Sequence, residues 1–346
     1  MNEQNVHEVW SDDDLDRALA ALHSTVDTDR RRLAAARTEL ERAAGAVPRP
    51  RRGRWAVAVA AVVVLVAGFL AVQIIPFGGR PPAASAASLA LTSAADKITA
   101  ADPPVRPGQY RYIAVHGWVT GTLENFTRLQ ESHGELWIPA DPSQEWLDRG
   151  GPTGRYTWLV GNDADATAAG IPPVRAQVSE QRARCGDFYP GPAGRPCAIP
   201  GSWQSPKPVW LAELPRDPQR LYDRLAADTS GHGNGESALL DYAADTLRSG
   251  LVPADLRTAL YRALAKLPGL EITDRSANLD GRTGIAFGMA DGRVRHEIII
   301  DPQTGGFIGE RRTTIRDADG IKAGTVISHT SVSTAVVGEA GTRPAS

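Results

Sequence analysis

An uninterrupted apolar stretch near the amino terminus limits what this 346-residue chain can be. Residues 55–75 read WAVAVAAVVVLVAGFLAVQII and contain no charged side chain. About 20 such residues cross the hydrocarbon core of a bilayer as one α-helix, and in lipid a helix satisfies its own backbone hydrogen bonds. The sequence therefore predicts a single transmembrane helix over 55–75.

The charges beside this stretch predict its orientation. Four arginines lie within the six residues that precede it, whereas Arg80 is the one basic residue that follows closely. Because positive charge tends to stay on the cytoplasmic side, we expect residues 1–54 in the cytoplasm and residues 80–346 outside the cell membrane. The alternative is a cleaved secretory signal peptide, but the leading segment and the apolar run are both too long for one.

Two cysteines, Cys185 and Cys197, fall in the part predicted to lie outside the cell. Thiols in an oxidising compartment pair readily, so they predict a disulfide that closes a Gly/Pro-rich loop. A two-ligand metal site is the less favoured alternative, because no histidine lies between His133 and His232.

The segment 1–54 has the pattern of two short amphipathic helices. Ser11 and the acidic residues after it favour a helix start. Apolar side chains then recur at helical spacing and form one stripe: Leu15, Leu19, Leu22 and Val26. A second helix is predicted from about Thr28 to Ala44. Helices this short bury little alone, so the stripe is either a docking site for a cytoplasmic protein or one side of a solvated stalk.

The rest of the chain divides into a tether, one domain and a tail. Residues 76–87 are predicted to be flexible because they are rich in Pro, Ala and Ser. Residues 88–337 are predicted to form the domain, with a disulfide-pinned loop at 162–207, and residues 338–346 a disordered tail.

Helical and strand patterns separate along this domain. A helix is predicted over 88–100, and three more begin at Pro218, Ser237 and Pro253, with apolar residues every three or four positions. Strand patterns lie before and after these three helices, at 109–120, 135–138, 144–148, 156–160, 285–289, 293–300, 307–315 and 324–337. The separation predicts an α+β fold, a curved antiparallel sheet with helices on one face.

Neither composition nor motifs point to catalysis. The chain has 38 basic and 40 acidic residues, so no strongly basic surface is expected and direct nucleic-acid binding is not predicted. Its seven histidines form no HExxH or other close metal pair, and no GxSxG, SxxK or Walker loop occurs. We therefore expect no enzyme, no catalytic residue, no cofactor and no metal ligand.

Four tryptophans fall in the first group of strands: Trp118, Trp137, Trp146 and Trp158. The favoured interpretation is that they form part of the sheet core. The alternative is that they wall an apolar pocket between the sheet and the helices.

Four segments resemble an uncharacterised family of actinobacterial single-pass membrane proteins that are often encoded beside sigma-factor genes. They are WIPADPSQEWLDR (137–149), LPRDPQRLYDRL (214–225), LVPADLRTALYRALAKLPGL (251–270) and VRHEIIIDPQTGGFIGERRT (294–313). The turn at 301–305 is also similar to one in the half-barrel of lipoprotein carriers and related envelope-stress sensors. This second likeness bears on fold more than on function.

The resemblance implies a membrane-anchored, anti-sigma-like regulator. Residues 11–44 would hold a sigma factor, and the outer domain would sense the state of the cell envelope. Residues 1–54 contain no cysteine, so they lack the His-x3-Cys-x2-Cys signature of zinc-type anti-sigma domains. The alternative is a cell-envelope binding module whose half-barrel holds a lipid or another apolar ligand.

Overall fold

The structure is a computed structural model, and it describes residues 83–189, 195, 197–231 and 235–345. The segment 1–54, with its four partner-binding candidates, and the predicted span 55–75 lie outside the described residues. Of the helices in the described part of the chain, none is long and apolar enough to cross a membrane.

The described residues contain six helices and nine strands. The helices are α1 (Ala83–Lys97), α2 (Asp163–Ala168), α3 (Pro208–Glu213), α4 (Pro218–Thr229), α5 (Ser237–Arg248) and α6 (Ala254–Leu264). The strands are β1 (Tyr110–Leu123), β2 (Phe126–Pro139), β3 (Glu145–Val160), β4 (Ser179–Arg184), β5 (Glu271–Leu279), β6 (Arg282–Asp291), β7 (Val294–Ile300), β8 (Phe307–Thr314) and β9 (Val326–Val337).

All nine strands belong to one open antiparallel sheet in the order β4-β3-β2-β1-β9-β8-β7-β6-β5. Strands β2, β3 and β4 follow one another outward from one side of β1. On its other side β1 pairs with β9, and β8, β7, β6 and β5 follow outward from there. The β1–β9 pair therefore joins the two groups of strands at the middle of the sheet. This confirms the predicted α+β class with a curved antiparallel sheet.

The helices cover one face of the sheet. Ile298 and Ile300 of β7 share this face because alternate residues of a strand point the same way. They belong to one buried cluster with leucines of α4, α5 and α6, among them Leu221, Leu240 and Leu260. Helices α4, α5 and α6 begin close to the predicted positions. The sequence could predict them because the stripe of leucines on each helix is also the surface that the helix buries.

The β5–β6 hairpin curls over the opposite face. Its turn is Asp280-Gly281, and both residues have positive φ, 51° and 76°. The Asp280 carboxylate reaches His116 of β1 and accepts a hydrogen bond from Ser331 of β9. Arg282 donates to two backbone oxygens of β8 and β9 at 2.9 and 2.7 Å. The hairpin thus places its turn on the face that the helices leave open.

Strand β3 runs further than its sequence pattern indicates. The predicted strands 144–148 and 156–160 are the two ends of one strand, which continues through Gly150, Gly151 and Pro152. Strand β2 supplies pairing partners along this length, with a register shift between Gln130 and Ser132. Pairing with a neighbouring strand has therefore overridden the turn-forming residues.

The predicted loop 162–207 contains structure of its own. It holds α2 and the edge strand β4, which pairs with the first part of β3. Strand β4 reads SEQRAR and has no buried position, so it lacks the apolar alternation by which a strand is recognised. Strand β5 and helix α3 were likewise absent from the sequence prediction.

The predicted disulfide between Cys185 and Cys197 is present directly after β4, with Cα atoms 5.2 Å apart. Lys207 Nζ donates to the carbonyl oxygens of Cys185 and Gly186 at 2.7 and 2.6 Å. The disulfide and this lysine together hold the loop beside the sheet edge.

Two segments predicted to be irregular are ordered by contacts from elsewhere in the chain. Helix α1 begins inside the predicted tether 76–87, and Ala87, the last residue of that tether, is fully buried. In the predicted disordered tail, the carbonyl of Thr342 accepts a hydrogen bond from Trp137 Nε1 at 2.6 Å. Arg343 in the same tail binds the Glu135 carboxylate at 2.6 and 2.9 Å. Neither contact leaves a local pattern in the sequence.

Tyr261 of α6 provides a test of this core. Its side chain is fully buried, and its hydroxyl has no hydrogen-bond partner among the described residues. Because an unpaired buried hydroxyl costs about 1–3 kcal/mol, we expect Tyr261→Phe to raise the free energy of unfolding by about 1 kcal/mol in chemical denaturation. Tyr112→Phe is the control and should destabilise, since the Tyr112 hydroxyl donates to Glu135 at 2.6 Å. A less stable Tyr261→Phe protein would contradict this account.

Candidate functional site

The face of the sheet away from the helices carries a row of polar and aromatic residues in register across five strands. From β7 to β2 the row contains, each opposite the next, Glu297, Arg311, His329, Trp118 and Glu131. The two glutamates at its ends are buried, with 3% and 1% of the whole residue exposed. The neighbouring row includes Ser331, His116 and His133. Charge is thus concentrated on this face, and the candidate site lies here.

His116 lies between two carboxylates. Its Nδ1 is 2.6 Å from Asp280 Oδ2, and its Nε2 is 2.9 Å from Glu131 Oε1. Because a ring that donates from both nitrogens is an imidazolium, this geometry is that of charged His116. Burial disfavours the charged ring, but the hydrogen bonds to Asp280 and Glu131 outweigh burial and raise the pKa of His116 above 6.5. The ion pairs connect β1 to β2 and to the β5–β6 turn.

Glu131 is held by three further contacts. Arg155 binds both of its oxygens, and Thr153 Oγ1 donates to Oε2 at 2.5 Å. The Arg155 guanidinium is the main cause that lowers the pKa of Glu131 to about 2, against the opposing effect of burial. The same guanidinium lies 5.6 Å from the centre of the Trp118 ring. Glu131 is therefore ionised across the physiological pH range.

His133 lies directly opposite His116 in the β1–β2 hairpin. The two imidazoles are stacked, with centroids 4.4 Å apart and an interplanar angle of 18°. His133 is exposed, whereas His116 is partly buried. The pair therefore presents one fixed ring and one ring that solvent can reach.

A cleft of about 810 Å³ opens above these residues. Its lining includes both histidines, Asp280, and the group formed by Tyr112, Glu135 and Arg343. Burial, reinforced by Glu135, raises the pKa of Tyr112 to about 12, and Arg343 lowers the pKa of Glu135. Near neutral pH the cleft therefore contains a neutral phenol, ionised carboxylates and arginine.

The hydrogen bonds in the cleft do not match those of a serine hydrolase. The Ser331 hydroxyl donates to Asp280 and not to a ring nitrogen of His116. Both nitrogens of His116 face carboxylates, so His116 is not placed to take the proton of a serine nucleophile. Imidazole and carboxylate groups converging on an open cleft are instead suited to hold a cation or a small polar ligand.

The structure does not bring the four tryptophans into one pocket. Trp137 is fully buried in a cluster with Tyr112 and Leu147, and Trp146 is buried in a second cluster with Ile113 and Ile138. The other two are half-buried. Trp118 is stacked with His329 at 6.5 Å between centroids, and Trp158 makes an edge contact with Phe126 at 5.9 Å.

The His116–His133 pair forms no local sequence motif because the two residues are far apart in the chain. The β1–β2 turn is Glu124-Asn125, and Glu124 has φ of 53°. A two-residue turn at this position fixes the register that sets His116 opposite His133. The β1–β2 hairpin is therefore the signal in the sequence that could reveal the pair, but the strand predicted there covers only 135–138 of β2.

No protein-family model, no curated protein and no solved structure matches this chain. The likeness to single-pass membrane proteins encoded beside sigma-factor genes therefore stays a hypothesis that depends on the four quoted segments. The function proposed below depends on that hypothesis and on the geometry of the cleft.

The pH dependence of stability should reveal His329. Its Nδ1 is buried without a hydrogen-bond partner among the described residues. Burial lowers the pKa of His329 below 6.5, and the positive charges of His116 and Arg311 lower it further. The negative charge of Asp280 acts in the opposite direction but does not cancel the shift. The unfolded chain then binds this proton more readily than the folded chain, so His329 should reduce stability as the pH falls through 6.5 toward the folded pKa.

We therefore expect wild type to lose more stability than His329→Gln between pH 7.5 and 5, with the unfolding free energy measured at each pH by chemical denaturation. Measurements above pH 8, where the ring is neutral in both states, give the cost of the substitution itself. Parallel curves for the two proteins over the acidic range would show that the ring is not held neutral.

Proposed function

We propose that the chain is a non-enzymatic, membrane-anchored regulatory or sensor protein, and that the domain over 88–337 binds its signal in the cleft above His116. The observation that carries the proposal is the contact of His116 with both Asp280 and Glu131. These carboxylates come from opposite halves of the sheet. A ligand in the cleft that favours one position of the β5–β6 hairpin over another would shift the population toward it.

The anchor and the cytoplasmic partner are proposed from sequence. Residues 55–75 would span the membrane with the amino terminus in the cytoplasm. The stripe of Leu15, Leu19, Leu22 and Val26 would bind a cytoplasmic protein, such as a sigma factor, as the resemblance implies. A disulfide beside the sheet edge supports an extracytoplasmic domain, because disulfides persist in oxidising compartments.

A lipid or another apolar ligand receives less support. The cleft beside His116 is lined by charged groups from β1, β2 and the β5–β6 turn. Charged groups in this lining, such as Arg149 and Asp280, would lose hydration against an acyl chain, which is costly. Of the four tryptophans that could form an apolar wall, Trp137 and Trp146 lie in separate buried clusters.

The test is to isolate the full-length protein from its own cells in detergent, beside a version that lacks residues 1–44, and to identify what co-purifies with each. We expect a cytoplasmic protein, a sigma factor on the anti-sigma hypothesis, to be lost on truncation. The same companions in both samples, or none from the cytoplasm, would overturn the regulatory function.

Point variants separate binding by the stripe from a general effect of truncation. Aspartate at Leu15, Leu19 and Leu22 should abolish the same partner, because a charge on the docking face prevents apolar contact. The control is Arg17→Ala, which changes the opposite side of the predicted helix and should leave the partner bound.

A further inference from the structure

We propose that His116, His133 and Glu131 bind one Zn²⁺ ion in the cleft, and that Asp280 orients the His116 ring for this purpose. The inference deepens the proposed function, on which it rests, because it names the ligand class of the same cleft. The sequence predicted no metal ligand, since the three residues meet through strand pairing and not through a local motif.

The geometry of the three groups is close to that of a metal site. One ligand atom from each residue lies within 4.8 Å of the other two. Two ligand atoms bound about 2 Å from tetrahedral zinc are about 3.4 Å apart. The ligand atoms of the three residues would therefore need to approach one another only slightly to bind one zinc ion. His116 Nε2 and Glu131 Oε1 are already 2.9 Å apart. The exposed ring of His133 has the freedom to make the remaining movement by side-chain rotation.

Asp280 has the position of an outer-shell residue. Histidines that bind metals commonly direct the other ring nitrogen at a carboxylate, which fixes the tautomer and the ring orientation. The Asp280 carboxylate lies 2.6 Å from His116 Nδ1 and is itself held by Ser331. This leaves Nε2 directed at Glu131, and the His133 ring lies stacked beside the His116 ring. The β5–β6 turn would thereby complete a site whose metal ligands all come from the β1–β2 hairpin.

Metal binding would exchange one cation for another. When His116 is charged, its Nε2 donates a proton to Glu131 Oε1 at 2.9 Å, and Arg155 also binds that carboxylate. Zn²⁺ would take the place of this proton, which leaves to solvent, and form bonds to Nε2 and Oε1. The Arg155 side chain is 68% exposed and can move away without becoming buried. The remaining coordination position would face the open cleft, as in zinc sites that keep a position for water or ligand.

The donor set indicates which ions fit. Two imidazole nitrogens and one carboxylate suit zinc and its transition-metal neighbours, whereas Mg²⁺ and Ca²⁺ prefer sites built from oxygen. A single carboxylate bonded to arginine is a poor ligand set for the hard cations. We therefore expect binding of Zn²⁺ that a large excess of Mg²⁺ or Ca²⁺ does not prevent.

The experiment is equilibrium dialysis of the full-length protein in detergent against Zn²⁺, after chelator treatment, with bound metal measured by atomic absorption. We expect the wild type to bind one Zn²⁺ per chain. We expect His133→Gln to bind Zn²⁺ with less than a tenth of the affinity of the wild type. Because His133 is exposed, this variant should fold, and circular dichroism checks that it does. Asp280→Asn should bind Zn²⁺ about 10–100-fold more weakly, as loss of an outer-shell carboxylate does.

The matched control is His329→Gln, which removes a histidine from the same face but leaves the three ligands, and it should retain one Zn²⁺ per chain. Folded wild type that binds no Zn²⁺, or equal binding by wild type and His133→Gln, would overturn the site. A different result would contradict the proposed regulatory function without contradicting the metal site. A chain that binds Zn²⁺ but loses no cytoplasmic partner on truncation would keep the metal site and remove the regulatory function.

Discussion

Replacing Glu297 with alanine is expected to lower the free energy of unfolding by about 3–5 kcal/mol, measured by chemical denaturation. The Glu297 side chain is 2% exposed and accepts from Arg311 through both oxygens, at 2.7 and 3.2 Å. Thr273 of β5 and Thr313 of β8 donate to it at 2.5 and 3.3 Å. Alanine would leave the Arg311 guanidinium largely buried, with Asp274 at 3.6 Å as its nearest remaining acid.

This carboxylate can join three strands because a glycine lies beside it. Gly288 of β6 pairs with Glu297, and a Cβ atom there would lie 2.8 Å from Glu297 Cγ. The missing side chain lets Glu297 extend across β6 toward Thr273 of β5. Its removal would therefore weaken the attachment of the β5–β6 hairpin as well as one ion pair.

The control for this prediction is Glu145→Ala at the sheet edge. Glu145 is 54% exposed, with Arg182 at 3.6 Å, and exposed pairs contribute about 0–1 kcal/mol. Glu297→Gln keeps the volume and removes the charge, so it separates the ion pair from packing. A cost for Glu297→Ala no greater than that for Glu145→Ala would contradict the role given to this residue.

Leu91→Ala should cost about 2–5 kcal/mol of unfolding free energy, since it removes a buried side chain and leaves a cavity. Leu91 lies in α1, has no exposed surface, and belongs to the main cluster with leucines of α4, α5 and α6. The contact of Leu91 with this cluster is therefore expected to hold α1 in its place in the domain.

The matched control lies in the same helix. Leu89 is 68% exposed, so Leu89→Ala should change the unfolding free energy by less than about 0.5 kcal/mol in the same denaturation experiment. The helix propensity lost or gained is equal in the two variants. Equal costs for Leu89→Ala and Leu91→Ala would mean that α1 is not packed on the domain as described.

The sequence by itself determined the elements whose pattern and packing coincide. Leucines at helical spacing predicted α4, α5 and α6, because the stripe that is visible in the sequence is the stripe that is buried against Ile298 and Ile300. Strands β6 and β7 were predicted by the strand patterns at 285–289 and 293–300. The disulfide was predicted because both cysteines of the chain fall in the part expected to lie in an oxidising compartment.

Only the tertiary structure decided the elements that depend on a distant neighbour. Strand β4 has no apolar alternation and exists because β3 pairs with it, and the tail is ordered because Trp137 and Glu135 bind it. The same reason applies to the candidate site. His116 and His133 meet through the register of a hairpin, and Asp280 reaches them from a turn far along the chain. The apolar pattern of a single helix or strand shows which of its residues are buried. It does not show which residues of different strands meet, because strand register and sheet curvature decide this.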